Sequence, residues 1–498
     1  MKRLSELLEG MVGGAKSSSE DCSISGIAVD SRQVKPGNLF VALKGVHHDG
    51  HDRVADAVQA GASAILAERS VEALVPVVLV PSTAAALSGV AARYFDFPSR
   101  SLDVVGITGT NGKTTITYML EKVWEGDKIL GGVLGTIDYR WATHVEKAPN
   151  TTPHALDVQR LLAAMAADGV KRVAMEVSSH ALALGRVEDV NFSVGVFTNL
   201  TQDHLDFHND MEGYFRAKAR LFELLQRSSP PGRRAVINRD DPWAPRFLEK
   251  VQSPVWTYGI DGPSDFRAER LSLSADGSRF RAVTPVGERD IHLALVGRHN
   301  VYNALAALGA AVALGTGLDP AAVGLESLAG VPGRLERVTE RPAGTVPISA
   351  LPFSVFVDYA HTDDALRNVL DTLRPLTKNR LIVLFGCGGD RDKTKRPKMG
   401  ERAALLADHV VVTSDNPRSE DPATIARDVE LGVRRVPARS YDVMVNRREA
   451  IHRAITMATA GDVVLLAGKG HETTQIFEDH IEAFDDRAEA RRVMAERT

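Results

Sequence analysis

The 498-residue chain has only two cysteines, Cys22 and Cys387. Two thiols cannot staple a chain of this size, which excludes a disulfide framework and points to a reducing compartment. Charge of neither sign is in excess: 60 Lys and Arg stand against 64 Asp and Glu, a net of −4 at pH 7. That balance speaks against a general nucleic-acid or membrane-binding surface. No uninterrupted apolar stretch is long enough to span a bilayer. The opening MKRLSELLEG has the spacing of a short amphipathic helix and lacks the apolar core and cleavage site of a signal peptide. Internal repeats and low-complexity segments are missing too. What remains is a globular composition, 44% hydrophobic and 25% charged, long enough for about three domains. A soluble cytoplasmic protein is expected, with no nucleic-acid partner and no membrane insertion.

The most informative stretch is LDVVGITGTNGKTTITYM, residues 102–119. An apolar run, Leu102 to Ile107, leads into a loop with Gly106, Gly109 and Gly112, then Lys113, Thr114, Thr115 and a segment of helical spacing. This predicts strand, glycine loop and helix. Glycines let backbone N–H groups approach a phosphate, and the helix N-terminus adds positive potential. Lys113 is placed to meet β- and γ-phosphates, and Thr114 to offer a hydroxyl to Mg²⁺. The spacing departs from the strict Walker A pattern in that Ile107 stands where the first glycine belongs.

Downstream, Asn150, Thr151 and Thr152 precede a predicted helix. Capping accounts for one of them, and three polar residues in a row also suit a ligand loop. A strand in KRVAMEVSSHAL ends with Glu176, Ser178, Ser179 and His180. A second, FSVGVFTNL, leads to Asp203, His204 and His208. If these strands are neighbours, Glu176 and His204 form a metal site beside the phosphates; a purely structural carboxylate is the alternative. In MEGYFRAKARLFELL, Lys218 shares an apolar helical face with Tyr214, Phe215, Leu221 and Phe222. On composition alone it reads as a lysine reaching for water, although a buried amine of depressed pKa is also open. Asn300 and Asn303 lie on one side of a further helix.

Before the loop, Ser31, Arg32, His47 and His48 gather near turns around a buried strand at Leu39 to Leu43. Ligand hydrogen bonding or simple exposure suits the paired histidines better than a metal. After about residue 334, apolar strands alternate with helical segments, which predicts a parallel, doubly wound sheet. Its strands end in Asp358 and His361, Asp390 and Arg391, Asp415 to Arg418, and Lys469 to Glu472. Ligands bind at the carboxyl ends of such strands, so these clusters are expected to share one face.

GITGTNGKTT, EVSSHAL, TNLTQDHLDFH, YFRAKARLF, GRHNVYNALAA, PGRLERV, DYAHT, GGDRD and GKGHE together resemble the Mur ligases, over nearly the whole chain. Asp363, where the family usually has proline, and His299, where an aromatic is commoner, depart from the pattern. The resemblance implies an α/β chain of three domains. A small N-terminal α/β domain (1–101) binds the UDP precursor. A central P-loop ATPase domain with a mainly parallel sheet (102–333) binds ATP. A C-terminal Rossmann-like doubly wound domain (334–498) binds the amino acid. It further implies ligation of meso-diaminopimelate to UDP-N-acetylmuramoyl-L-Ala-D-Glu through an acyl phosphate, by a monomer whose last domain closes over the reaction.

By the same resemblance, Ser31, Val46, His47, His48, Asn150, Thr151, Thr152, Ser178, Arg186 and Lys218 meet the UDP precursor. Gly109, Thr110, Asn111, Gly112, Lys113, Thr114, Thr115, Asn300, Arg334 and Asp358 meet ATP. Arg391, Asp415, Asn416, Pro417, Arg418, Gly468 and Glu472 meet diaminopimelate. Lys218 is implied to carry a CO₂-derived carbamate and, with Thr114, Glu176 and His204, to hold Mg²⁺. Lys113, Glu176, His204 and Lys218 are the implied catalytic group. A folylpolyglutamate synthase would share the loop and the modified lysine, but the hundred residues before the loop and the DNPR run speak against it.

Overall fold

The computed structural model describes residues 1–10, 21–45, 48–229, 234–338 and 351–497. They fall into two compact units. One holds residues 1–267, 283–288 and 302–325, the other 268–282, 289–301 and 326–498.

In the first unit, the strands Gly26–Ala28, Asn38–Val41, Ala64–Ala67 and Val77–Leu79 form a small parallel sheet in chain order. Every residue of Asn38–Val41 is buried, as its apolar run predicts. The helix Thr83–Tyr94 starts at Ser82, whose side chain accepts the Ala85 N–H and so satisfies a helix donor with no intrahelical partner. Its Leu87 and Val90 pack with Leu39, Val41 and Leu66.

The larger sheet of this unit has a parallel core ordered Gly131–Leu134, Arg172–Glu176, Asp103–Thr108, Phe192–Phe197, Arg234–Asn238, Val255–Gly259. Strands covered on both faces read as continuous apolar runs, which is why they were legible. The expected adjacency of the strands carrying Glu176 and preceding His204 is corrected: the loop strand Asp103–Thr108 pairs with both and lies between them. The connections run first to one side of it and then to the other, so the strand order reverses there. The helix Met211–Arg227 packs beneath; a Cβ on Gly106 would sit 2.7 Å from the Phe192 ring and 2.9 Å from Leu221.

In the second unit, Ser354–Asp358, Val463–Ala467, Leu381–Phe385, His409–Val412 and Ser440–Val443 form a parallel sheet in that order, with Glu336–Arg337 antiparallel at one edge. Alternate residues serve opposite faces. Phe356, Val383, Phe385 and Leu465 pack with Leu366, Met399 and Val429. Val355, Ile382, Leu384 and Val464 pack with Ile451, Ile455 and Val493. This is the doubly wound arrangement expected. Asp363 opens the helix Asp363–Leu373 behind the Thr362 cap, where a carboxylate suits the helix dipole as well as proline suits its geometry.

One ion pair holds this unit's functional edge. Arg447 and Asp486 are wholly buried and joined by two hydrogen bonds, Nε to Oδ1 at 2.8 Å and Nη2 to Oδ2 at 2.5 Å. The guanidinium also donates to the carbonyls of Ser414 and Ala467, at 3.1 and 3.0 Å. Removing one partner strands a buried charge, at a cost of roughly 3–5 kcal/mol. Arg447→Ala should therefore lower the thermal unfolding midpoint sharply in a circular-dichroism melt. The pair Arg447→Met/Asp486→Leu should recover part of the loss, since it leaves no buried charge unpaired, while the Ser414 and Ala467 carbonyls still lose the guanidinium donor.

Candidate active site

The loop strand ends in Gly109 at φ +148° and Gly112 at φ +91°, and the helix Lys113–Gly126 begins directly after. Strand, loop and helix are as predicted. The loop is held open by its own lysine: Lys113 Nζ donates to the carbonyls of Gly109 and Thr110, both at 2.8 Å. Lys218 reaches the same Gly109 carbonyl from the helix below, also at 2.8 Å. It is 1% exposed, with Nζ 4.4 Å from the centre of the Tyr214 ring. Lys218 is therefore not a lysine reaching for water. Burial, and then the Lys113 charge, hold its pKa well below the ordinary lysine value.

Beside the loop, Glu176 is completely buried. Its carboxylate accepts from Thr114 Oγ1 at 3.1 Å, from the Thr136 amide at 2.8 Å and from Thr136 Oγ1 at 3.0 Å. Thr136 was not anticipated; nothing in its sequence context marks it. Among the described residues no group of three or more His, Cys, Asp or Glu can hold a metal. Mg²⁺ does not require one, because it keeps several waters and takes one or two protein oxygens plus phosphates. The Thr114 hydroxyl and the Glu176 carboxylate are hard oxygens of that kind, so the donor set fits the ion.

His204 does not sit on a strand end. It lies several residues beyond Phe192–Phe197, at φ +53°, as the residue before the turn Leu205–His208. Its ring stands 4.8 Å from that of His180, which is also 5.5 Å from His208 and 4.2 Å from Phe207. The site thus contains a cluster of three histidines, all noted at the ends of the predicted strands, of which only His204 was given a ligand role.

Asn150, Thr151, Thr152, Ser178 and Arg186 do gather. Thr152 Oγ1 donates to the Glu176 carbonyl at 2.8 Å and accepts the Ser178 amide at 3.0 Å. Thr136 Oγ1 bonds Thr151 Oγ1 at 3.1 Å, Tyr139 OH donates to the Asn150 carbonyl at 2.5 Å, and Arg186 Nη1 to the Thr152 carbonyl at 3.0 Å. The capping expectation is corrected, because the helix Ala155–Ala167 starts after His154 without a side-chain cap. Ser178 is instead the cap of Ser179–Ala183. Ser31 opens a short helical turn behind Asp30, and His48 is exposed. Val46 and His47 lie outside the described residues.

A segment that was not assigned a role grips the loop. Thr198 Oγ1 donates to the Asn111 carbonyl at 2.6 Å, the Asn199 carbonyl accepts the Thr110 amide at 2.8 Å, and Asn199 Oδ1 accepts the Asn111 amide at 2.9 Å. A Cβ on Gly109 would lie 1.8 Å from Thr198 Oγ1, so that glycine serves the strap as much as a phosphate. The signal was the TNLT run ahead of His204.

In the second unit the four strand-end clusters lie along one edge, as expected. Asp358 is buried, its carboxylate accepting the amides of Leu335 and Ala360 at 2.6 and 2.8 Å; burial raises its pKa against the opposing pull of Arg334. The Arg334 guanidinium lies 5.0 Å from the Tyr359 ring centre. Asn300 is buried and donates to the Val296 carbonyl at 2.9 Å. Asn416 is a hub: its amide donates to Glu472 at 2.8 Å and its carbonyl oxygen accepts from Lys469 Nζ at 3.1 Å and the Ile476 amide at 3.1 Å. Asp415 is fully enclosed, and burial raises its pKa. A Cβ on Gly468 would sit 2.6 Å from its carboxylate. Arg418 is half-buried at φ +52° and donates Nη1 to the Gly389 carbonyl at 2.7 Å. Pro417 is buried, and Arg391 is exposed with Nη1 on the Asp390 carbonyl at 3.2 Å. Lys469, which opens the expected strand-end cluster, is wholly buried, and Arg447 was not among the expected site residues.

A glycine loop between parallel strand and helix, with a lysine folded over it and a buried carboxylate beside its first threonine, defines a P-loop nucleotide-binding protein of the parallel α/β class. Three family models match the chain. They are the Mur ligase catalytic domain over residues 23–95, the Mur ligase middle domain over 107–311, and the Mur ligase glutamate ligase domain over 333–470. The chain belongs to the Mur ligase family. A UDP-N-acetylmuramoyl-L-alanyl-D-glutamate–2,6-diaminopimelate ligase of Gloeobacter violaceus is 47% identical over 480 residues, 96% of this chain and 95% of that protein. The protein of the same name from Geobacter sulfurreducens is 46% identical over 94% of each chain. A solved structure of a ligase of that name aligns with a TM-score of 0.68 at 32% identity, over 95% of both chains.

The histidine cluster has a measurable consequence. Partial burial, and then the neighbouring His204 and His208, depress the pKa of His180 to about 4. Between the unfolded value of about 6.5 and about 4 the unfolded chain binds a proton that the folded one refuses. His180 should stay neutral through pH 5 in an NMR titration. Its contribution to stability, complete above about pH 6.5, should fade as pH drops toward 4. The pH slope of the melting temperature in that window should be shallower in His180→Gln.

Proposed function

We infer that this chain is an ATP-dependent, ADP-forming ligase of peptidoglycan precursor synthesis that joins meso-2,6-diaminopimelate to the D-Glu of UDP-N-acetylmuramoyl-L-Ala-D-Glu. One observation carries the reading: two lysine nitrogens, from Lys113 and Lys218, share the Gly109 carbonyl at the head of the phosphate loop. A simple nucleotide switch needs the first lysine and has no use for a buried second amine. The substrates come from the relatives' names, at 47% and 46% identity over nearly the whole chain.

The chemistry follows from what an amide needs. A carboxylate does not react with an amine at neutral pH, so it is first converted by ATP to an acyl phosphate. The amine then attacks, a tetrahedral intermediate forms, and phosphate leaves. A carboxylate approaching a γ-phosphate meets like charge, and Lys113 with the loop amides offsets it. Thr114, Glu176, His204 and a carbamylated Lys218 would hold Mg²⁺, which supplies further positive charge at the transferring phosphoryl group. Lys218 suits carbamylation because burial and the Lys113 charge lower its pKa and so favour the neutral amine, and the resulting anion would lie beside Lys113. Ser31, Val46, His47, His48, Asn150, Thr151, Thr152, Ser178 and Arg186 are assigned to the UDP precursor. Asn300, Arg334 and Asp358 are assigned to ATP. Three domains, 1–101, 102–333 and 334–498, a monomeric state and a cytoplasmic location belong to the same proposal.

The decisive assay mixes ATP, Mg²⁺ and UDP-N-acetylmuramoyl-L-Ala-D-Glu with a panel of amino acids. Amide product and ADP should form together with diaminopimelate, and ADP release without an amino acid would sink the ligase reading. Lys218→Ala should nearly abolish ligation, with partial rescue by acetate. ¹³CO₂ should give a carbamate carbon signal in the unaltered protein and none in the variant.

Arg418 is proposed to grip the far carboxylate of diaminopimelate, with Glu472 near an ammonium group and Arg391, Asp415, Asn416, Pro417 and Gly468 completing the site. L-Lysine lacks that carboxylate and would leave the guanidinium unmatched, a penalty of roughly 2–5 kcal/mol. Diaminopimelate should therefore outcompete lysine by at least ~30-fold in kcat/KM. Arg418→Ala should erase the preference, and an unaltered ratio in that variant would remove Arg418 from the specificity site.

A further inference from the structure

The strap 198–201 that grips the phosphate loop is itself held from behind. Asn238, the last residue of the strand Arg234–Asn238, donates Nδ2 to the Thr198 carbonyl at 2.7 Å. Asp241, three residues on, accepts the Leu200 amide on Oδ2 at 3.0 Å and the Trp243 amide on Oδ1 at 2.9 Å. Both side chains are buried, at 7% and 8% exposure, and so are Thr198 and Leu200. The bonds form a relay. Strand end 238–241 fixes strap 198–201, and the strap fixes Thr110 and Asn111 through the Asn199 carbonyl, Asn199 Oδ1 and Thr198 Oγ1. Thr201 extends the same grip, its amide donating to Thr110 Oγ1 at 3.0 Å.

We propose that Asn238 and Asp241 are positioning residues for nucleotide binding, which hold the phosphate loop in its phosphate-accepting form through the strap; the inference rests on the assignment of ATP to this loop. The geometry makes the strap the component to break. A loop whose amides must converge on a phosphate loses affinity when its carbonyls and amides are free to turn away. Thr198 occupies the space where a Gly109 Cβ would be, so a displaced strap also removes the wall that sets Gly109 at φ +148°.

The test uses near-isosteric variants. Asp241→Asn can keep the Trp243 bond with its one acceptor, and it then turns an NH₂ toward the Leu200 amide, donor against donor. Asn238→Asp places an oxygen against the Thr198 carbonyl, acceptor against acceptor. Isothermal titration of the full chain with ATP and Mg²⁺ gives the ATP affinity, and the ligation assay gives KM for ATP and for the UDP precursor. Each variant should weaken ATP by about tenfold, the effect of one lost hydrogen bond to a charged or buried group, and leave the precursor KM within about twofold. Val236→Ala, in the core of the same strand, should lower the melting temperature and leave ATP affinity unaltered. In a Thr198→Val background, where the grip on Asn111 is already lost, Asp241→Asn should cost less than about twofold more. Unchanged ATP affinity in folded Asp241→Asn and Asn238→Asp, equal weakening by Val236→Ala, or full additivity with Thr198→Val would each overturn the relay. Absence of ATP binding by the unaltered chain would overturn the functional reading and the relay together.

Discussion

Two amines that meet on one carbonyl repel each other when both are charged. Lys113 and Lys218 each donate to the Gly109 oxygen at 2.8 Å, so their nitrogens are no more than about 5.6 Å apart. At an effective dielectric of about 20, two like charges at that distance repel by about 3 kcal/mol, or some two pK units. The deeper amine yields: Lys218 is enclosed by Tyr214 and the helix core, whereas Lys113 lies on the loop. The site therefore holds one cation on the loop and, beneath it, a buried amine whose pKa lies well below the ordinary lysine value. Much of the first unit serves to keep that carbonyl where both can reach it. Gly109 must take φ +148°, and Thr198 packs where a side chain would otherwise stand.

The second unit solves a similar problem with a different device. Its sheet delivers four polar loops to one edge, and polar groups so crowded must satisfy one another or destabilise the fold. Asn416 does this by bonding Glu472, Lys469 and the Ile476 amide. Lys469 is wholly buried, and its charge is matched by Glu472 at 3.4 Å and Asp415 at 3.9 Å. Arg447 ties the ends of two of the strands to the last helix. The outcome is a floor of mutually bonded buried polar groups, above which Arg418 and Arg391 are the more accessible side chains.

What could be read in advance divides along physical lines. The parallel strands of both units were legible because buried strands are continuous apolar runs, and the glycine loop because its residues are unusual together. Strand order was not legible: nothing in the local sequence of Arg172–Glu176 says that the loop strand lies between it and Phe192–Phe197. Contacts made by main-chain groups were equally hidden. Thr136 acts partly through its own main-chain amide, which donates to Glu176, and Asp241 by accepting the amides of Leu200 and Trp243; main-chain groups of this kind leave no trace in residue type. The capping reading of Asn150 to Thr152 failed for the same reason, since Thr152 is engaged by the Glu176 carbonyl and the Ser178 amide across the sheet.

Arg418 shows how a strained residue can be poised for exchange. At φ +52° a non-glycine backbone is disfavoured by roughly 1–3 kcal/mol, and such strain concentrates where a side chain must be aimed. Here the amide of Arg418 is anchored on the Ile476 carbonyl at 3.0 Å while its guanidinium donates to the neutral Gly389 carbonyl at 2.7 Å. A hydrogen bond from a cation to a neutral oxygen is weaker than one to a carboxylate, which can also accept two parallel bonds at once. An acid entering this edge therefore gains by replacing Gly389, whereas an amine gains nothing there. On the proposed reading, the preference for a diacid over lysine does not come from a cavity of a given size. It comes from an arginine held ready on a partner that a carboxylate outcompetes.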